Sequence, residues 1–178
     1  MTEAHPALGH HFSDIEQQRE ANTLGMWAFL ATEVLFFGAL FAAYLIYHAA
    51  YPLPFAAAGS HLNKILGTIN TAVLLTSSLT VALAVQAARE RAHQRLLLFM
   101  TATVGLGVLF LGIKGFEYFQ EYREALIPTI NFAWEGDGAP QARLFFTFYF
   151  FLTMLHALHM IIGIGVLLAM IFWAWRGG

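Results

Sequence analysis

The sequence predicts an all-α membrane protein, a bundle of about four transmembrane helices with both termini on the cytoplasmic side. Composition, the segregation of charge and the placing of helix breakers together predict it. Of the 178 residues, 58% are hydrophobic and 11% charged, against roughly 25% charged in soluble domains. Asp, Glu, Lys and Arg are absent from residues 65–88, 96–113 and 144–175, and residues 24–48 contain only Glu33. Each stretch reaches the ~18–20 residues that a helix needs to cross the hydrocarbon core. A buried soluble helix rarely runs so long without a polar face. The breakers fall between these stretches: Pro52 and Pro54 after the first, and Pro128, Gly136, Asp137, Gly138 and Pro140 before the last, excluding a continuous helix there.

In chain order, residues 1–23 form a polar cytoplasmic segment and residues 24–175 a transmembrane helical domain. Its spans are expected at about 24–48, 64–88, 96–118 and 143–175, with a loop around Pro52 and Pro54. Residues 1–23 carry Asp14, Glu16, Arg19 and Glu20 and no apolar core. They do not read as a cleavable signal peptide, and the first span serves as its own insertion signal. The fourth apolar stretch, 144–175, is ~48 Å long at the helical rise, so it must tilt or project beyond a core of about 30 Å. Trp173 and Trp175 fall where an aromatic belt is expected. With the N-terminus inside, Arg19, Arg89, Arg91, Arg95 and Arg176 are cytoplasmic, while Lys64, Arg123 and Arg143 lie opposite. The arginines at 89–95 sit in a short loop, where the positive-inside rule applies best.

Several function classes drop out. A net charge of −2 without a basic stripe argues against nucleic acid as a partner. The absence of cysteine removes thiolate metal sites, covalent haem attachment, disulfides and cysteine-bridged binuclear copper.

The remaining candidates are polar groups within apolar stretches. Glu33 lies nine residues into the first span, about 14 Å along its helix. A carboxylate there costs several kcal/mol unless protonated or paired, so it reads as a proton-linked or a structural group. His156 and His159 stand three apart on the fourth span, with Gly163 continuing that face. They could ligate a metal or haem, but no other span offers a central histidine, so helix-to-helix hydrogen bonding is the preferred reading. His159 is the favoured partner of Glu33 and His156 the second. Asn70 and Ser77, and Thr71 and Ser78, are pairs seven apart on the second span, small polar residues suited to close helix packing. A serine hydrolase would need an activating base, and nothing points to one. Lys114 and Glu117, three apart at the end of the third span, read as an interfacial ion pair with a snorkelling lysine. His5, His10 and His11 suggest metal only weakly. No residue is assigned a catalytic or metal-binding role.

The same residues carry a family likeness. Gly25-Met26-Trp27 followed by Ala31-Thr32-Glu33-Val34-Leu35-Phe36-Phe37 resembles the glutamate-bearing helix of subunit III of the haem–copper oxidases. Asn70-Thr71-Ala72-Val73-Leu74-Leu75-Thr76-Ser77-Ser78 is similar to that family's next helix, Glu117-Tyr118 to its "EY" helix end, and Phe145-Phe146 through His156-Ala157-Leu158-His159 to its "FF…HxLH" helix. The four motifs keep the family's order over about residues 24–170. One departure stands out: family members typically end in a further helix with a "WHFxD"-like start, whereas this sequence ends at Arg176-Gly177-Gly178. The resemblance then implies that a neighbouring subunit covers the face that helix would occupy.

What the resemblance implies is an accessory subunit of a terminal oxidase in the cell (inner) membrane. It would bind no redox cofactor directly, with haem and copper in the partner catalytic subunit I. It would pack against that subunit and further small membrane subunits, hold phospholipid, and support stability and proton uptake in aerobic respiratory electron transport. Cytochrome c and quinol both remain open as electron donor. The alternatives are a small proton-coupled carrier using Glu33 with His156 or His159, for which no broken helix or inverted repeat is visible, and a membrane anchor of another respiratory complex, such as a dihaem anchor or a nitric oxide reductase subunit.

Overall fold

The computed structural model describes residues 15–128, 130–134 and 138–176. His5, His10 and His11 fall outside them. The described residues form five helices: α1 (Ile15–Ala50), α2 (Pro52–Ser60), α3 (Lys64–Arg89), α4 (His93–Arg123) and α5 (Ala139–Arg176). Four of them, α1, α3, α4 and α5, are long and apolar enough to cross a membrane. The chain divides into two compact units, Met1–Tyr47 and His48–Gly178.

The first unit is the helix of residues 15–47. It begins nine residues before the apolar stretch, so the latter part of the polar head is itself helical. Its hydroxyls turn back on the helix: Thr23 Oγ1 donates to Arg19 O at 2.9 Å and Thr32 Oγ1 to Phe29 O at 2.7 Å. That satisfies both groups without a second helix.

In the second unit the segment expected as a loop around Pro52 and Pro54 is the helix α2. Proline opens a helix well, because its fixed φ suits the first turn and its missing N–H would be unpaired there anyway. Behind the prolines, Phe55 and Ala58 are buried, and α2 packs on the start of α5. Phe55 meets Phe145 edge to face at 5.5 Å. Phe146, fully buried, touches Phe132, Trp134, Phe145 and Phe150. These rings tie α2 and the α4–α5 connection to α5. Gly138, at φ +83, passes so close to α2 that a Cβ would lie 3.0 Å from Pro54 Cγ.

Asn63 caps α3, its side chain accepting from Ile65 N at 3.1 Å and Leu66 N at 3.2 Å. The α3–α4 turn is short because α3 ends in a Schellman motif. Ala92 N donates to Ala87 O and Arg91 N to Ala88 O, with Arg91 at φ 55. The same pattern ends α4: Leu126 N donates to Glu121 O, Ala125 N to Tyr122 O, and Ala125 has φ 55. Neither left-handed position is a glycine.

Helix α3 packs along α4, and α4 along α5. Ala84 and Ala87 let α3 approach α4, and Thr80 Oγ1 lies 2.8 Å from Thr103 Oγ1 across the seam. One turn along α4 from Thr103, Gly107 admits Ile164 of α5: a Cβ there would sit 3.1 Å from that side chain. Small residues at the contacts are what brings membrane helices together in the absence of a hydrophobic drive between them.

Candidate functional site

The polar groups of the second unit gather where α4 meets α5. Along α4, residues 107, 110, 114, 117 and 121 recur at three or four and so share a face. Along α5 the matching face runs through Tyr149, Thr153, His156, Met160 and Ile164. Gly107 against Ile164, Phe110 against His156, and Tyr118 against Thr153 fix the register of the two helices.

At the centre of the seam, Lys114 Nζ stands 2.8 Å from Glu117 Oε2, with the two side chains 15% and 5% exposed. The Tyr149 hydroxyl donates to Glu117 Oε1 at 3.1 Å, so both carboxylate oxygens are bonded. Lys114 Nζ also lies 3.5 Å from the Tyr149 hydroxyl and 5.4 Å from its ring centroid. The lysine is therefore turned inward, toward α5. One turn on, Tyr118 and Thr153 share a hydrogen bond at 2.6 Å, and Thr153 donates to Tyr149 O at 2.7 Å. Glu121 closes the row, 5% exposed, with no hydrogen-bond partner on either carboxylate oxygen among the described residues.

The structure sorts the sequence candidates. Asn70 is buried against α4 at 2% exposure, and neither amide atom is hydrogen-bonded among the described residues. Ser77 shares its face, which continues to Thr80, Ala84 and Ala87. Thr71 and Ser78 lie on the exposed side of α3, with Thr71 Oγ1 donating to Gly67 O at 2.9 Å. His156 and His159 have different surroundings. The His156 ring sits edge-on to Phe110 at 5.4 Å, whereas His159 Nδ1 is 2.8 Å from Leu155 O of its own helix. Glu33 belongs to the first unit, in the middle of α1. No group of three or more His, Cys, Asp or Glu able to hold a metal ion exists among the described residues.

Reading the sequence missed Glu121, Tyr149 and Thr153 and the Thr80–Thr103 bond, and named Tyr118 only as part of the Glu117-Tyr118 motif. The 114–117–121 spacing was a visible signal for Glu121. Tyr149 and Thr153 carried none until the α5 face meeting α4 was known.

Similarity to known proteins agrees with this arrangement. The sequence pattern of the family described as cytochrome c oxidase subunit III matches residues 2–176. A protein of Staphylococcus epidermidis named "Probable quinol oxidase subunit 3" is 31% identical over 147 residues, 82% of this chain and 66% of the relative. Proteins of the same name are 28% identical in Staphylococcus saprophyticus, over 88% of this chain and 74% of the relative, and 28% identical in Staphylococcus aureus, over 82% and 66%. The chain thus spans just under two thirds of the length of some of these relatives. With a match running from the second residue to the end of α5, the chain belongs to the cytochrome c oxidase subunit III family.

Proposed function

We propose that this chain is an accessory subunit, without a redox centre of its own, of a membrane-bound haem–copper oxidase. It packs against the catalytic subunit I in the cell (inner) membrane and supports that subunit's stability, lipid contacts and proton uptake. The family match over nearly the whole chain carries the reading. The surface supports it: Leu75 on α3, Met154 on α5 and Trp173 on α5 are 69%, 68% and 76% exposed. Apolar area on this scale suits lipid or a partner's helices rather than water. Lys114 and Glu117 of the α4–α5 seam, by contrast, are turned inward and paired with each other. The names of the relatives extend the reading to quinol as the electron donor.

The test is the composition of the complex obtained by gentle solubilisation through a tag on this chain. Co-purification with a many-helix subunit containing haem and copper, and with quinol oxidation coupled to oxygen reduction, is expected. A nitric oxide-reducing complex, or a lone chain that carries solute or protons in vesicles, would overturn it. Orientation has its own check. His5→Cys and Gly177→Cys are both expected to label from the cytoplasmic face, as N-in and C-in topology requires.

A further inference from the structure

Glu121 is a buried acid left over from an otherwise matched set. The seam holds one cation, Lys114, and two carboxyls, Glu117 and Glu121. Lys114 is committed to Glu117 at 2.8 Å, and the single hydroxyl proton of Tyr149 points to the other oxygen of Glu117 at 3.1 Å. Glu117 therefore has the partners an anion needs. Glu121, 5% exposed, has no hydrogen bond on either oxygen among the described residues. It is sealed from the helix end by the chain itself. The Schellman turn brings Leu126, 4% exposed, back so that its N–H bonds Glu121 O at 3.0 Å, and Pro128 behind it is also buried.

The charged and titratable groups that interact with Glu121 are Glu117 and Lys114 from α4, Glu124 just beyond its end and Tyr149 from α5; Tyr118 on α4 interacts with it as well. Two of these carry the same sign as an ionised Glu121, and the one cation is already paired. From the side of α2 and α3, His61 meets Trp134 edge to face at 5.1 Å.

We propose that Glu121 is a proton-binding site: it holds one proton from the medium as a neutral carboxylic acid, beside the ionised Lys114–Glu117 pair. A buried carboxylate without a bond or counter-charge is expensive, and the group neutralises instead. The ligand is a proton and not a larger cation, because each oxygen is closed to solvent and no set of three or more ligating side chains surrounds it among the described residues. The reaction is the association of one carboxylate with one proton. It leaves the seam with no net charge, where ionisation of Glu121 would leave a net charge of minus one.

Infrared spectroscopy of the full chain in its purified complex at neutral pH tests this directly. The wild-type minus Glu121→Gln difference spectrum is expected to show one protonated-carboxyl C=O band that shifts in heavy water. Glu121→Gln should also keep the wild-type Tm, since the amide copies the shape and neutrality of the acid. In Glu117→Gln the freed lysine and tyrosine hydroxyl are available to Glu121, and the band should vanish. In Lys114→Met a second band should join it. A difference spectrum without the band overturns the proposal. So does a Glu121→Gln chain that fails to assemble.

Discussion

The Tyr149 hydroxyl of α5 donates to Glu117 Oε1 of α4 at 3.1 Å, while the Lys114 ammonium holds the other carboxylate oxygen at 2.8 Å. That bond makes an ion pair within one helix into a link between two. It also sets the size of the penalties expected on breaking it. Tyr149→Phe removes one hydrogen bond to a charged acceptor, a loss of about 1.5–3 kcal/mol. Lys114→Met strands a buried carboxylate and should cost more, about 3–5 kcal/mol. Thermal unfolding of the detergent-solubilised complex should rank the two in that order. A Tyr149→Phe chain as unstable as Lys114→Met would contradict it.

Gly107 sets how closely α4 and α5 approach. An alanine methyl would sit 3.1 Å from Cδ1 and Cγ1 of Ile164, closer than carbon atoms pack without displacement. Gly107→Ala should therefore destabilise by about 1 kcal/mol or more, and Ile164→Ala in the same chain should recover part of that loss. The check is a double-mutant cycle on Tm, in which simple additivity would show that the two positions do not press on each other.

Both Schellman turns place a non-glycine residue in the left-handed region, Arg91 and Ala125. The strain there is about 1–2 kcal/mol per residue. Arg91→Gly and Ala125→Gly are each expected to raise stability by about 1 kcal/mol, somewhat less than the strain because glycine has more freedom to lose. Lower stability in both variants would mean that the side chains hold something the turns need.

How far sequence reached depended on the kind of signal. The four long helices were legible because residues 65–88, 96–113 and 144–175 carry no charge and residues 24–48 only Glu33, and burying charge in hydrocarbon is too costly to leave to chance. Helix α2 was not, because Pro52 and Pro54 are as common in turns as in first helical turns, and only the burial of Phe55 and Ala58 decides. The seam was half legible. Lys114 and Glu117 stand out as charges at helical spacing, which puts them within reach of the 2.8 Å pair they form. Tyr149 and Thr153 look like any other residues of an aromatic helix until Gly107 and Ile164 fix which face of α5 meets α4. Asn70 is recognisable as polar within an apolar run, but its complete burial needs the α3–α4 packing.

Glu33 serves, on our reading, as a packing group of the assembled complex and not as a carrier on the proton route. Glu33→Gln should then keep initial turnover close to wild type, because an amide still hydrogen-bonds. Glu33→Ala should weaken retention of the subunit during purification. Turnover assays on both variants, with subunit content measured alongside, separate the roles. Lost turnover in a fully assembled Glu33→Gln complex would falsify the packing role.

The central claim is that this chain supports a catalytic subunit without taking part in its redox chemistry. It is tested most directly by comparing the complex purified with this chain and without it. Haem and copper content per catalytic subunit and the initial rate of oxygen consumption should be retained when the chain is absent, while activity should decay faster over successive turnovers. Loss of haem or copper in proportion to the missing chain, or an initial rate near zero from an otherwise intact complex, would contradict the account.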